Sequence, residues 1–296
     1  MALSNNGKRL VVLVSADTPG DNRVATVDVR TLQIQATVPV PGTGVTYRGL
    51  AVGSKTGRIY LFGNRAVGPD AGPTHGPPSD AVVTVLDPTA TTVIENWTAR
   101  PSAGRNWYVL RGAVSADERQ LFISYHGPDA AGMDIFSIEP QGVRRCASSP
   151  QPESGCARIH GDFEPFGNGF LAATGSPQIL ELDSSGVETR TFDTKLENNH
   201  LMEFAVDRTT STLYAAGSCL YVPGLSSVSL TSGKTQLLDP LGGQVCGERI
   251  LAGADHLLVL LQAQPRAVLF VDGRTGAVRR QVTTPAEPID ALLLPG

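Results

Sequence analysis

The sequence predicts an all-β chain: a six-bladed β-propeller of four-stranded blades, with seven blades as the alternative because the length of 296 residues divides plausibly by either number. Three observations carry this. A hairpin sentence, an alternating β-rich strand followed by Asp and a Gly- or Thr-bearing turn, occurs at 24–31, 82–89, 179–186 and 267–282, with weaker copies lacking the Asp at 133–142 and 227–233, six in all. An apolar strand precedes each copy, at Leu10, Ile59, Leu121, Phe170, Leu213 and Leu257, with starts 49, 62, 49, 43 and 44 residues apart. No long stretch shows a helical period with an N-cap ahead of it.

Taken in order, each unit needs four strands over roughly 45 residues, the content of a propeller blade. The innermost strands are expected at 47–52, 110–114, 159–163, 202–206 and 248–252. Short polar turns, such as 53–57, 115–119 and 207–211, link them to the apolar second strands. The strand at Leu10 has no evident inner strand before it, while the chain ends on an apolar segment at 288–294. That C-terminal strand is therefore expected to join the N-terminal blade and close the ring, leaving no open edge there. The whole of 1–296 reads as a single propeller domain.

Composition excludes some functions. The net charge of −4 gives no electrostatic case for nucleic acid or an anionic membrane surface. No apolar run approaches the length of about 20 residues that a membrane span needs. No signal peptide is legible, and the N-terminus reads as a trimmed start with the native address cut away. The four cysteines, Cys146, Cys156, Cys219 and Cys246, lack a Cys-x-x-Cys zinc spacing. Their even number fits two disulfides, with reduced thiols as the alternative and three pairings open. Disulfides would place the protein outside the cytoplasm, in a periplasm, at a cell surface or secreted.

The unit of inner strand, Ser/Asp-headed turn, apolar strand and Val-x-Val-Asp-x-x-Thr-Gly resembles the YVTN-type and surface-layer propeller repeats over nearly the whole chain. That resemblance implies an extracytoplasmic binding or scaffolding protein more often than a catalyst. It concerns the skeleton of a blade, which serves many functions.

Function should then sit in two places. The long Pro- and Gly-rich segments and all four cysteines fall between second and third strands or between blades, which puts them on one face. Loops 64–80, 96–107, 126–133, 144–157 and 217–227 are the expected contact surface, with Trp107 available for stacking or as cover for a blade edge. The second place is the central channel. Near the start of each inner strand lies one polar residue: Arg48, Arg111, His160, Glu203, Arg249 and Asp290. Such a ring is either a set of structural Arg–carboxylate pairs or an anion-binding throat, since a guanidinium offers a forked donor to carboxylate or phosphate. His160, Asp162, Glu164, His200 and Glu203 are the densest set of potential ligands, but no His-x-x-x-His or His-Glu-x-x-His spacing exists, and neither a metal nor a cofactor is expected.

Three functional classes remain open, the third being a purely structural subunit of a larger envelope complex. The leading one is an extracytoplasmic recognition module for a protein, peptide or glycan partner. The alternative is an enzyme, a hydrolase or lyase, acting on a small anionic substrate at the channel mouth. Arg111 and Arg249, with Arg48, His200 and Asp290 around them, would bind the substrate, and His160 and Glu203 would be the catalytic proton handlers. A deep pocket at the channel mouth with His160 and Glu203 within reach of one another favours the enzyme, and a shallow loop-built face with exposed apolar or aromatic groups favours the recognition module.

Overall fold

The computed structural model describes residues 1–14, 21–40, 44–67, 79–99, 108–126, 131–138, 142–144, 159–174, 177–196, 203–217, 224–238, 249–262 and 266–285. They form six four-stranded antiparallel sheets, the blades of a propeller. Blade 1 holds β1 (Ala2–Leu3), β2 (Arg9–Val14), β3 (Arg23–Asp28) and β4 (Ile34–Pro39). Blade 2 holds β5 (Val45–Val52), β6 (Ile59–Ala66), β7 (Ser79–Leu86) and β8 (Val93–Ala99). Blade 3 holds β9 (Tyr108–Val114), β10 (Gln120–His126), β11 (Ala131–Ser137) and β12 (Gly142–Arg144). Blade 4 holds β13 (Ile159–Phe166), β14 (Gly169–Thr174), β15 (Gln178–Leu182) and β16 (Glu188–Asp193). Blade 5 holds β17 (Glu203–Asp207), β18 (Thr212–Ala216), β19 (Leu225–Ser229) and β20 (Thr235–Leu237). Blade 6 holds β21 (Arg249–Ala252), β22 (Leu257–Gln262), β23 (Ala267–Asp272) and β24 (Val278–Thr283). The period of the sequence thus gives six blades, each strand pairing with its successor.

The first blade differs from expectation in one respect. β2 does have an inner strand before it: Ala2 pairs with Val11 and Leu3 with Leu10. Two residues are too few to show any period, which is why this strand is not legible in sequence. The expected closing segment, 288–294, lies outside the described residues.

The cores lie between blades. The second strands are covered on both faces, and every residue of β14 is buried. Tyr60 and Phe62 of blade 2 pack with Leu121 and Ile123 of blade 3. Phe122 of blade 3 packs on Phe170 of blade 4, ring centroids 4.6 Å apart. Similar clusters join blades 4 and 5, 5 and 6, and 1 and 2. Burying one Leu or Phe contributes about 2 kcal/mol.

Outer turns are locked by aspartates. Asp87 accepts backbone bonds from Thr91 and Thr92 at 2.7 Å, and Asp183 accepts them from Ser185 and Val187 at 2.8 and 3.0 Å. Asp272 does the same with Arg274, at 2.8 Å, and pairs with the Arg279 guanidinium. That guanidinium and the Arg274 N–H hold Asp272 down at about 2. Burial opposes the ionised form of Asp87, Asp183 and Asp207, but their hydroxyl and amide donors outweigh it and lower all three. The Val-x-Val-Asp-x-x-Thr-Gly sentence is therefore a turn device: the carboxylate satisfies the amides that the turn leaves without ladder partners.

Candidate functional site at the channel mouth

Four charged side chains from four successive blades meet at the channel. Arg111 of β9 forks: one terminal nitrogen donates to Asp162 Oδ1 of β13, and the other donates to Glu203 Oε1 and Oε2 of β17 at 2.7 and 2.9 Å. Arg249 Nη1 of β21 stands 3.6 Å from Asp162 Oδ2 and 3.7 Å from Glu203 Oε2. Asp162 Oδ1 also accepts the Phe163 backbone N–H at 2.9 Å. The carboxylates are the deeper pair, with side chains 9% and 17% exposed, against 29% and 30% for Arg111 and Arg249.

The sheet register explains why residues so distant in sequence come together. Arg111 pairs with Ser124, Glu203 with Ala216 and Arg249 with Leu261. Each partner lies three residues beyond an equivalent buried Leu of its second strand, namely Leu121, Leu213 and Leu258. In blade 4 the corresponding partner is Ala173. There β13 bulges between Ile159, paired with Thr174, and Phe163, paired with Ala172, so that 160–162 share the space opposite Ala173. All four charges therefore sit at one level of the ring. Blade 2 bulges at the same level: Tyr47 pairs with Gly63 and Gly49 with Phe62, with Arg48 between them and exposed. Bulges re-aim side chains beside functional openings, and here they admit an Arg and an Asp.

A cavity of ≈ 740 Å³ opens at this level, and Arg48, Arg111, Asp162 and Arg249 line it together with Met1, Val12, Leu13, Val14 and Leu50. Tyr47 and Phe163 also contribute, as do Gly49 and Gly112. Gly112 is dictated by packing, because a Cβ there would enter the Phe62 ring of the next blade. The β9 backbone lies too close to the Phe62 ring of β6 at this point for any side chain beyond hydrogen.

The electrostatics are those of a compressed charge set. Burial, then the adjacent Asp162 carboxylate, push Glu203 up to about 8 against the pull of Arg111 and Arg249. Burial also works against the charge of Arg111, but Asp162 and Glu203 overcome it and hold the guanidinium above its ordinary value. The set is thus a polar plug in which burial and the neighbouring carboxylate raise Glu203 while two guanidiniums hold the carboxylates in place.

Of the residues singled out in sequence, the structure brings Arg111, Glu203 and Arg249 into direct contact and places Arg48 on the same cavity. His160 falls in β13, but its side chain lies outside the described residues, as do His200, Asp290 and Trp107. Asp162 occupies the blade 4 place for which His160 was expected. The signal was available: Asp162 is two residues on from His160, hence on the same strand face, and two arginines in a ring call for carboxylates. Glu164 belongs elsewhere. It accepts from Arg208 at 2.9 Å, and burial raises its pKa. Among the described residues, no group of three or more His, Cys, Asp or Glu side chains is placed to hold a metal ion.

The loop face is only partly described. Cys146, Cys156, Cys219 and Cys246 lie outside the described residues, as does most of the expected contact surface. The loop expected at 126–133 is shorter than predicted, since β10 runs to His126 and β11 begins at Ala131. Trp97 is half-buried on the core between blades 2 and 3 and donates to Glu95 Oε2 at 2.8 Å, which makes it edge cover. No helix among the described residues is long and apolar enough to cross a membrane.

No protein-family model matches the chain, and no curated protein matches it. Solved structures do. A hydrazine synthase of Kuenenia stuttgartiensis is similar at a TM-score of 0.65 with 13% identity, covering 97% of this chain and 86% of that one. The Swd1 β-propeller domain of Myceliophteria thermophila is similar at 0.64 with 10% identity, covering 96% and 86%. A chain from a nidogen/laminin complex is similar at 0.56 with 11% identity, covering 93% and 94%. Likeness at such low identity is likeness of architecture, and with the six sheets already described it establishes this chain as a β-propeller.

Proposed function

We propose that the chain is a ligand-binding β-propeller that holds a small anionic molecule at its channel mouth. The observation that carries this reading is the convergence of Arg48, Arg111 and Arg249, from three separate blades, on one cavity of ≈ 740 Å³. That size lies within the range of about 300–1,000 Å³ typical of small-molecule sites. Arg111 donates to both carboxylates and is the most deeply engaged of the three, and Arg48 and Arg249 are the two assigned to meet the ligand from the same cavity. Ligand-observed NMR with acetate, succinate and inorganic phosphate tests this. Saturable binding that is weakened at least tenfold in the Arg48→Gln/Arg249→Gln double variant is the expected result. Absence of saturable binding, or binding indifferent to both substitutions, sinks the proposal.

A second reading is an enzyme on the same site, a hydrolase or lyase with Glu203 as the proton-transfer group. It is favoured by the pKa of about 8, which lets Glu203 exchange its proton near neutrality. An activity whose pH profile loses its inflection near that value in Glu203→Gln would select it.

An extracytoplasmic address, membership among the surface-layer-like propellers, and a protein, peptide or glycan partner for the cysteine-bearing loops are part of the same proposal. Thiol titration of the unreduced, denatured protein checks the address: no free thiol supports it, and four free thiols remove its basis.

A further inference from the structure

We infer that β4, the outer edge of blade 1, pairs with β4 of a second copy of the chain about a two-fold axis, so that two four-stranded sheets continue as one. The surface is remote from the channel mouth, and the inference stands or falls apart from the anion site. Among the described residues, β4 has no strand on its outer side. The other outer strands share that position, but each has a guard against pairing. β12 and β20 are only three residues long. β16 carries Glu188, Arg190 and Asp193, and β24 carries Arg279 and Arg280. β8 carries Glu95, whose carboxylate takes the Trp97 indole N–H. β4 runs for six residues, Ile-Gln-Ala-Thr-Val-Pro, without a charge. Its guard is Pro39 alone, at the far end.

The turn ahead of β4 adds a second observation. Leu32 stands at φ 56°, its N–H bonded to the carbonyl of Asp28. Gly233 and Gly276 make the same bond, to Ser229 and Asp272, in the turns of blades 5 and 6. Where those blades use glycine, blade 1 holds a bulky side chain in the left-handed region, which strains the backbone. Leu32 is also 69% exposed, and Ile34 beside it 68%. Folding of one copy gains neither relaxed backbone nor buried surface from Leu32, and an outlier of this kind points to a partner. The backbone says which partner. Val40 donates its N–H to Asn22 O at 2.9 Å, and ladder bonds recur at every second residue, so Val38 and Ala36 turn their amides towards β3. Thr37 and Gln35 turn theirs outward, and both are exposed. About a two-fold axis at Ala36, Gln35 of each copy meets Thr37 of the other and Ile34 meets Val38. Leu32 then comes over the exposed Pro39 of the opposite copy. The strand is thus complementary to itself, apolar against apolar, with no like charges opposed.

Paired edges of this length bury less than the roughly 1,200 Å² of a standard interface, so a weak dimer is expected, with a dissociation constant of about 10–100 μM. Sedimentation velocity on the full chain, from low to high micromolar concentration, should show a monomer–dimer shift. Thr37→Pro removes an outward N–H without touching the ladder to β3, and Ile34→Lys places a charge on the edge. Each should weaken the dimer at least tenfold. Leu32→Gly should weaken it about threefold while raising the melting temperature of the dilute monomer, because the strain leaves with the side chain. A monomer at every concentration would overturn the inference. So would a dimer indifferent to both Thr37→Pro and Ile34→Lys, which would use another surface, and so would assembly beyond the dimer, since one edge pairs once. A monomer whose β4 amides are protected from exchange by a synthetic Thr-Val-Thr-Val-Thr peptide would show an edge that takes foreign strands, and would overturn the second copy as its occupant.

Discussion

Arg111 is the side chain on which the channel mouth depends. It satisfies two buried carboxylates at once, through a geometry that a lysine cannot copy. Arg111→Met should therefore cost about 3 kcal/mol in urea unfolding, since it strands Asp162 and Glu203 without their main donor. Arg111→Lys should recover less than half of that loss, and Arg111→Met/Glu203→Gln should recover part of it by removing one of the stranded charges. Glu203 itself makes stability depend on pH. Its folded value of about 8 lies above the ordinary 4.5, so folding takes up a proton between those two values. Its contribution is fully present below about 4.5 and is lost as pH rises through 8. Glu203→Gln should flatten the fall in denaturation midpoint across that window; an unchanged slope would place the proton elsewhere. The turn aspartates act in the opposite sense at lower pH. Asp87, Asp183 and Asp207 are depressed below 3.8, so their stabilisation is present above that value and is lost as pH drops through their folded range. The residues of the site were partly legible in sequence. Arg111, Glu203 and Arg249 could be read because each stands just before the apolar run of an inner strand. Asp162 was harder because a bulge carries no periodic signal, and the local pattern His-Gly imitates the Arg-Gly of the preceding two blades.

Strands and turns were the more readable scale. Near-continuous apolar runs announce the second strands, and the Asp-headed turns announce the outer hairpins, because both respond to strong local demands: two-sided burial and unpaired turn amides. β1 was missed since two residues make no pattern. The turns yield a test of their own. Asp183→Ala removes the acceptor for Ser185 N, Ser185 Oγ and Val187 N and should cost about 1 kcal/mol, visible as a shift in melting temperature without loss of the fold. Gly112→Ala probes the packing of β9 against the Phe62 ring of β6 without touching a hydrogen bond. Its methyl would meet the Phe62 ring, and overpacking of this kind should cost about 2 kcal/mol. Wild-type stability in that variant would mean that blades 2 and 3 separate more readily than their shared core implies.

At the scale of the whole ring, the described residues fill five of the six junctions with apolar clusters. Apolar clusters fill the spaces between blades 1 and 2, 2 and 3, 3 and 4, 4 and 5, and 5 and 6. Among the described residues, no such cluster joins blade 6 to blade 1. Amide exchange should accordingly be faster in β2 and β23 than in β6 and β14, a difference that hydrogen–deuterium mass spectrometry resolves. Equal protection all round would show that this junction is sealed as firmly as the other five. The charge set adds a consequence in the order of manufacture. The chain leaves the ribosome from its N-terminus, so Arg111 emerges first, then Asp162, then Glu203, and Arg249 last. A nascent chain that has completed five blades holds two crowded carboxyl groups with one cation between them, and the second cation still lies inside the exit tunnel. The last blade therefore delivers the counter-charge as well as the final wall, and a protein cut short before Arg249 is penalised twice.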